Sequence, residues 1–156
     1  DVAYQTAQED KKILGRLAYL LQGVNRLTDL RPIHSRMWVD GQMVEDDVLF
    51  GMVASTTSVG GFRIKEDMDI SLNDGLSEVV VVRNIENLDD FNRVATALLK
   101  RDFRCPHFYV YKTDKVRFQF EKPVAWTLDG ESGGEVKAAE IRNCKRAIRI
   151  MVPGGS

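Results

Sequence analysis

A chain of 156 residues with 22 Lys and Arg against 23 Asp and Glu carries a formal charge of −1, and its isoelectric point lies near 6.2. That balance lacks the overall positive field that draws in nucleic acid, so no nucleic-acid partner is expected. At 44% hydrophobic and 29% charged it reads as one globular domain able to bury its own core, and its longest apolar runs, such as Val79–Val82, are too short to span a bilayer.

The chain begins at Asp1 rather than Met, and Asp1–Thr6 reads as a tail arriving from elsewhere, as in a piece of something longer. No charged and apolar leader pattern of a secretory signal opens it. Lys11–Gln22 has Leu14, Leu17, Ala18 and Leu21 at helical spacing, with Gly23 as a stop, and predicts an amphipathic helix. From Pro32 the period changes to two. Ile33, Ser35, Met37 and Val39 alternate with His34, Arg36 and Trp38, and Asp40-Gly41 is a strong hairpin turn, so a return strand should run through Val48–Ala54.

Ser55–Gly61 is a small-residue loop, and Lys65–Asp74 a polar, acidic stretch. The valines of Ser77–Arg83 predict a buried strand. Asn87 can cap a second helix with Asp90 three residues on. Leu88, Phe91, Val94, Ala95, Leu98 and Leu99 form its apolar face, and it should end near Arg101. The rest is strand-like: His107–Tyr111, Val116–Phe120, Val124–Leu128, then a final hairpin of Val136–Arg142 and Arg146–Val152. About seven strands and two helices without βαβ alternation predict a mainly β, α+β, sandwich-like domain with two covering helices. Cys105 and Cys144 are far apart, lack metal-ligand spacing and suit a reducing cytosol.

Three short stretches can carry chemistry. In Leu128-Asp129-Gly130-Glu131-Ser132-Gly133-Gly134 two carboxylates flank a glycine that lets both project from one corner. Phosphoryl transfer needs such a carboxylate to take the proton of the attacking hydroxyl. Asp-Gly is also the commonest hairpin signal, so a plain solvated turn stands beside that reading. Ile70-Ser71-Leu72-Asn73-Asp74-Gly75-Leu76 offers one carboxylate amid carbonyls, enough for magnesium, or simply a turn into the next strand. Ser58-Val59-Gly60-Gly61-Phe62 lacks the Lys-Ser/Thr of a nucleotide loop and suits packing against a ligand or neighbouring domain. Arg101, Arg104, Lys112, Lys115 and Arg117 form a local basic group, read as a solvated face before an anionic-lipid contact.

The order of these parts is more specific than any one of them. Lys12-Ile13-Leu14-Gly15-Arg16-Leu17-Ala18-Tyr19 is followed by Val59-Gly60-Gly61-Phe62, by Asn73-Asp74-Gly75-Leu76 before a valine strand, by a capped helix, and by Trp126-Thr127-Leu128-Asp129-Gly130-Glu131. Over essentially its whole length the chain resembles the C-terminal domain of the bacterial diacylglycerol kinase-like lipid kinases, a group related to sphingosine and ceramide kinases. The resemblance implies the β-rich second domain of a two-domain, NAD kinase-like enzyme whose first domain binds ATP through a Gly-Gly-Asp-Gly-Thr loop.

Carried over, the resemblance makes Glu131 the general base, with Asp129 assisting or exchanging roles. It implies a structural Mg2+ held by the Asp74 carboxylate and the Ser71 and Leu76 carbonyls. It further implies ATP and a membrane lipid, most simply diacylglycerol, as substrates of a cytoplasmic protein that touches the inner membrane peripherally, with homodimerisation left open. Two departures stand out. The Gly-Gly-Asp-Gly-Thr loop does not occur here, so this segment alone should be inactive, and Ser55 or Thr56 stands where relatives often have Asn. The rival reading is a non-catalytic, metal-stabilised β-sandwich binding module. A NAD kinase-like enzyme, which usually lacks the Asp-Gly-Glu corner, ranks behind both.

Overall fold

The computed structural model describes residues 31–54, 58–59, 62–63, 75–100, 102–129, 131–145 and 147. The predicted helix over Lys11–Gln22 and the acidic stretch from Lys65 to Asp74 lie outside them.

β1 (Ile33–Val39) and β2 (Gln42–Ala54) are joined by Asp40 and Gly41 alone. Both turn residues have positive φ, 50° and 76°, the geometry whose twist matches that of a hairpin. β2 therefore starts at Gln42, ahead of the apolar stretch from Val48, because the turn sets the pairing Val39 to Gln42 and Ile33 to Val48. Along β1, Ser35, Met37 and Val39 are buried while His34 and Arg36 are exposed, as the period of two requires.

β5 (Ser77–Arg83) is buried on both sides. Val80 and Val82 pack with Ile85, Phe108 and the helix residues Val94 and Ala97. Val79 and Val81 face Met37, Val39, Val48, Val116, Phe118 and Phe120. Covering both faces is why the strand reads as unbroken valine instead of alternating. The helix Leu88–Lys100 is capped as expected. The Asp90 amide donates to Asn87 Oδ1 at 2.8 Å, the N-cap bond, and Asn87 Nδ2 donates back to Asp90 Oδ2 at 2.9 Å, so the two side chains hold each other. Among its described side chains Val94 and Ala97 are buried, while Leu88 in the first turn is 66% exposed.

β6 (Phe108–Thr113), β7 (Lys115–Leu128) and β8 (Glu131–Arg142) complete one antiparallel sheet in the order β6-β5-β2-β1-β7-β8. β3 (Ser58–Val59) and β4 (Phe62–Arg63) form a separate two-residue pair, Ser58 opposite Arg63 and Val59 opposite Phe62. The expected seven strands are thus eight among the described residues, two of them minimal.

The sheet order places three strands between β6 and β7, a span of about 19 Å if flat. Yet only Asp114 links the two strands, and one residue bridges at most about 7 Å. The sheet must therefore curl until β6 meets β7. The register shift between Val48 and Phe50 is a bulge where β2 can bend. Thr113, at the meeting point, donates its hydroxyl to Asp40 Oδ1 at 2.7 Å, and the Asn143 amide donates to the Asp114 carbonyl at 2.8 Å. The valine, Met37 and Phe118 cluster fills the space inside the curl. This is the sandwich-like architecture expected, made by folding one sheet upon itself.

Val116–Phe120 and Val124–Leu128 are one 14-residue strand and not two. Pro123 between them lacks an N–H, but it falls in the irregular register between Gln119 and Val124, beyond the last β1 partner, Phe120 opposite Ser35. Val136–Arg142 pairs with β7, while the expected partner strand Arg146–Val152 lies outside the described residues apart from Ala147. No helix among the described residues is long and apolar enough to cross a membrane.

Candidate functional site

The Asp-Gly-Glu corner sits at the free end of the β7–β8 hairpin. Leu128 pairs with Glu131 across the turn that begins at Asp129. Asp129 has φ 49°, a conformation Asp tolerates better than most residues. Turn and candidate site are thus the same structure. Both Asp129 and Glu131 are exposed, and Leu128 beside them is 62% exposed. Residues 121–128 of β7 pair with no strand but β8 among those described, and because Trp126 packs back on Phe118 and Phe120 the strand bends at the irregular register between Gln119 and Val124 before it reaches the corner.

The local aim of the corner depends on Gly133. Trp126 pairs with Gly134 and Thr127 with Ser132, which leaves Gly133 as the extra residue of a bulge. A Cβ there would come within 3.0 Å of Leu128 Cγ and 3.3 Å of Trp126 Cβ. Trp126 and Leu128 therefore lie on one face of the hairpin, against the bare glycine, and Glu131 opposite Leu128 shares that face. Gly133→Ala is expected to destabilise the fold by about 1–3 kcal/mol in urea unfolding, with chemical-shift changes concentrated in residues 126–134. Unchanged stability and shifts would mean the hairpin tolerates the methyl group and the glycine does not set the corner.

Of the expected metal ligands, Ser71 and Asp74 lie outside the described residues. Leu76 is described, after Gly75 at φ 76°, whose Cα side faces Lys145. Among the described residues no three His, Cys, Asp or Glu side chains are grouped to hold a metal ion. Of the basic group, Arg104 meets Asp102 at 2.7 Å, Lys115 meets Glu140 at 3.3 Å and Arg117 lies over the Trp38 ring at 5.4 Å, while Arg101 lies outside the described residues. The solvated-face reading fits them.

Two polar groupings escaped the motif reading. Asp46 accepts from Arg83 Nε and from the Tyr109 hydroxyl, both at 2.7 Å, on the inner face of the sheet. Burial pushes its carboxyl up, but the Tyr109 and Arg83 hydrogen bonds together outweigh this and hold it below its ordinary value of 3.8. The clue was positional: Asp46 falls in the same phase as Val44 and Val48. Because the folded pKa is lowered, its stabilisation is present above the ordinary carboxylate range and lost as pH falls through the folded value. Asp46→Asn should therefore cost about 1–2 kcal/mol at pH 7, a gap that closes in acid. Denaturant curves at pH 7 and pH 3 check this, and an equal gap at both would rule it out.

On the outer face, His34 lies between Asp47 at 2.8 Å and Glu45 at 3.0 Å. The hydrogen bond to Asp47, then that to Glu45, raises its pKa above 6.5. A groove of about 390 Å3 lined by Trp38, Asp40, Thr113, Lys115, Arg117 and Glu140 opens where the curl closes. Lys115, in its lining, and Leu128, beside the acidic corner, are the two ends of β7. This groove and the candidate chemistry are therefore at opposite ends of that strand.

A family profile described as the YegS C-terminal NAD kinase beta sandwich-like domain matches residues 1–152. The chain belongs to the YegS C-terminal domain family. Among curated relatives, the diacylglycerol kinase of Bacillus subtilis (strain 168) is 33% identical over 98% of this chain and 50% of its own length. That of Staphylococcus carnosus (strain TM300) is 26% identical, covering 98% and 49%. The chain spans about half the length of these relatives. A Bacillus anthracis str. Sterne protein provisionally named a diacylglycerol kinase shares the YegS C-terminal fold, with a TM-score of 0.59 at 20% identity over 90% of this chain and 47% of that one.

Proposed function

We propose that this YegS-type domain is the acceptor-side half of a lipid kinase that moves the γ-phosphoryl group of ATP to a lipid hydroxyl, most simply diacylglycerol to phosphatidic acid. The observation that carries the reading is the exposed Asp129–Glu131 corner, presented with apolar Leu128 at the tip of an overhanging hairpin. A carboxylate so placed can reach into a cleft completed by a nucleotide-binding domain, and the names of the curated relatives agree.

In this reading Glu131 accepts the hydroxyl proton while the lipid oxygen bonds to the γ-phosphorus and the bond to the β-phosphate oxygen breaks, releasing ADP. Asp129, two residues away across the turn, orients the hydroxyl or exchanges roles with Glu131. Leu128 adds an apolar contact beside the reacting group. Asp74, with the Ser71 and Leu76 carbonyls, would hold magnesium, which when bound supplies positive charge that stiffens the loop before β5. A lipid substrate brings such an enzyme to the cytoplasmic face of the inner membrane as a peripheral visitor.

The test uses the complete kinase that this reading implies, with labelled ATP, magnesium and a panel of diacylglycerol, ceramide, a sphingoid base and phosphatidylglycerol. Label in phosphatidic acid, lost in Glu131→Gln, supports the proposal. No transfer to any hydroxyl lipid returns the domain to the rival, a metal-stabilised binding module.

A further inference from the structure

Trp126 stands two residues before Leu128, on the face of the hairpin from which Glu131 also projects. Its ring meets Phe118 at 5.8 Å and Phe120 at 6.2 Å between centroids. The indole Nε1 is fully buried, yet no acceptor lies within hydrogen-bonding distance of it. A phenylalanine would make the same ring contacts without stranding a donor, so the N–H is a local liability. The side chain as a whole is only half-buried and sits at the margin of the apolar cluster, on the part of the hairpin that pairs with β8 alone. For the N–H to meet a ligand, the indole must turn from this position toward the face shared with Glu131. Along the strand Trp126 is about 7 Å from the level of Glu131. A lipid whose hydroxyl is held at Glu131 has the linkage groups of its acyl chains at that range.

The geometry points to Trp126 as the residue that reads the acyl linkage of the lipid, donating its indole N–H to an ester carbonyl. An indole N–H only donates. It suits the carbonyl acceptors of a diacylglycerol and has nothing to offer the ammonium of a sphingoid base, which is itself a donor. Trp126 thus adds a reason for ester-linked lipids to be preferred over amino lipids. The inference rests on the lipid kinase reading of the corner, since it needs the hydroxyl at Glu131.

The test compares the complete kinase with its Trp126→Phe variant on two lipids of equal chain length, a 1,2-diacylglycerol and the matching 1,2-dialkylglycerol, which has the same hydroxyl and no carbonyl. The wild type should favour the diester by roughly tenfold in kcat/KM. Trp126→Phe should lose that factor on the diester and keep its rate on the diether, so the ratio falls to about one. The diether rate doubles as the control for folding. An unchanged ratio, or an equal loss on both lipids, overturns the role of Trp126. Glu131→Gln, run alongside, separates the two ideas. If it abolishes transfer to both lipids, a failed Trp126 result leaves the corner standing. If it leaves transfer intact, the corner reading falls and the inference falls with it.

Discussion

Glu131→Gln in the complete kinase should lower kcat for lipid phosphorylation by about 10²–10⁴-fold while moving KM for lipid and ATP little. Glutamine matches the size and extended shape of glutamate, and Glu131 is the first paired residue of β8, exposed and outside the core, so the hairpin has no reason to rearrange. What the variant lacks is the capacity to accept a proton. Asp129→Asn is the informative partner, because asparagine keeps the left-handed turn at φ 49° that alanine would strain. A loss of roughly tenfold there makes Asp129 an orienting group. A loss equal to that of Glu131→Gln would exchange the two roles. Turnover within threefold of wild type in both would reduce the corner to a turn.

Phe118→Ala should cost about 3–5 kcal/mol of folding stability, a large share of the roughly 5–15 kcal/mol that holds a domain together. Phe118 is 4% exposed. It stacks on Phe120 with centroids 6.0 Å apart and meets the Trp126 edge at 5.8 Å, so truncation opens a cavity where the curled sheet closes on itself and where the overhang is rooted. The neighbouring Gln119→Ala, facing solvent, should change stability by no more than about 0.5 kcal/mol. Urea unfolding of the 156-residue chain measures both, and a Phe118→Ala loss below about 1 kcal/mol would mean the interior of the curl contributes little.

Local chemistry was well written into the sequence. Asp40-Gly41, Asn87 with Asp90, and the valine run of β5 each became the turn, cap and buried strand that their side chains dictate. What the sequence hid was long-range. Nothing local shows that β7 pairs with β1 rather than β6, or that Pro123 can sit within a strand, because both follow from which neighbour is absent at that point. Alternation in Val136–Arg142 likewise marks a strand but does not name β7 as its partner. Asp46 was overlooked because its two partners are 37 and 63 residues away. The corner acids were legible as a motif, and the structure adds their presentation at a hairpin tip. Their catalytic role rests on the proposal above.

Beyond its contact with β1 the β7–β8 hairpin is held by the seating of Trp126 on Phe118 and Phe120, a short cantilever whose tip lies past that clamp. A beam clamped at its root deflects most at its free end, and here the free end bears the acids. Small changes in how Phe118 and Phe120 seat Trp126 are therefore magnified at Asp129 and Glu131, and a substitution in that aromatic clamp can misaim them without touching them. The same compliance lets a second domain, or a lipid headgroup, press the tip into register at little cost to the rest of the sheet. In such a design the aim of the acids is fixed by whatever the tip meets, and the sheet supplies only the hinge.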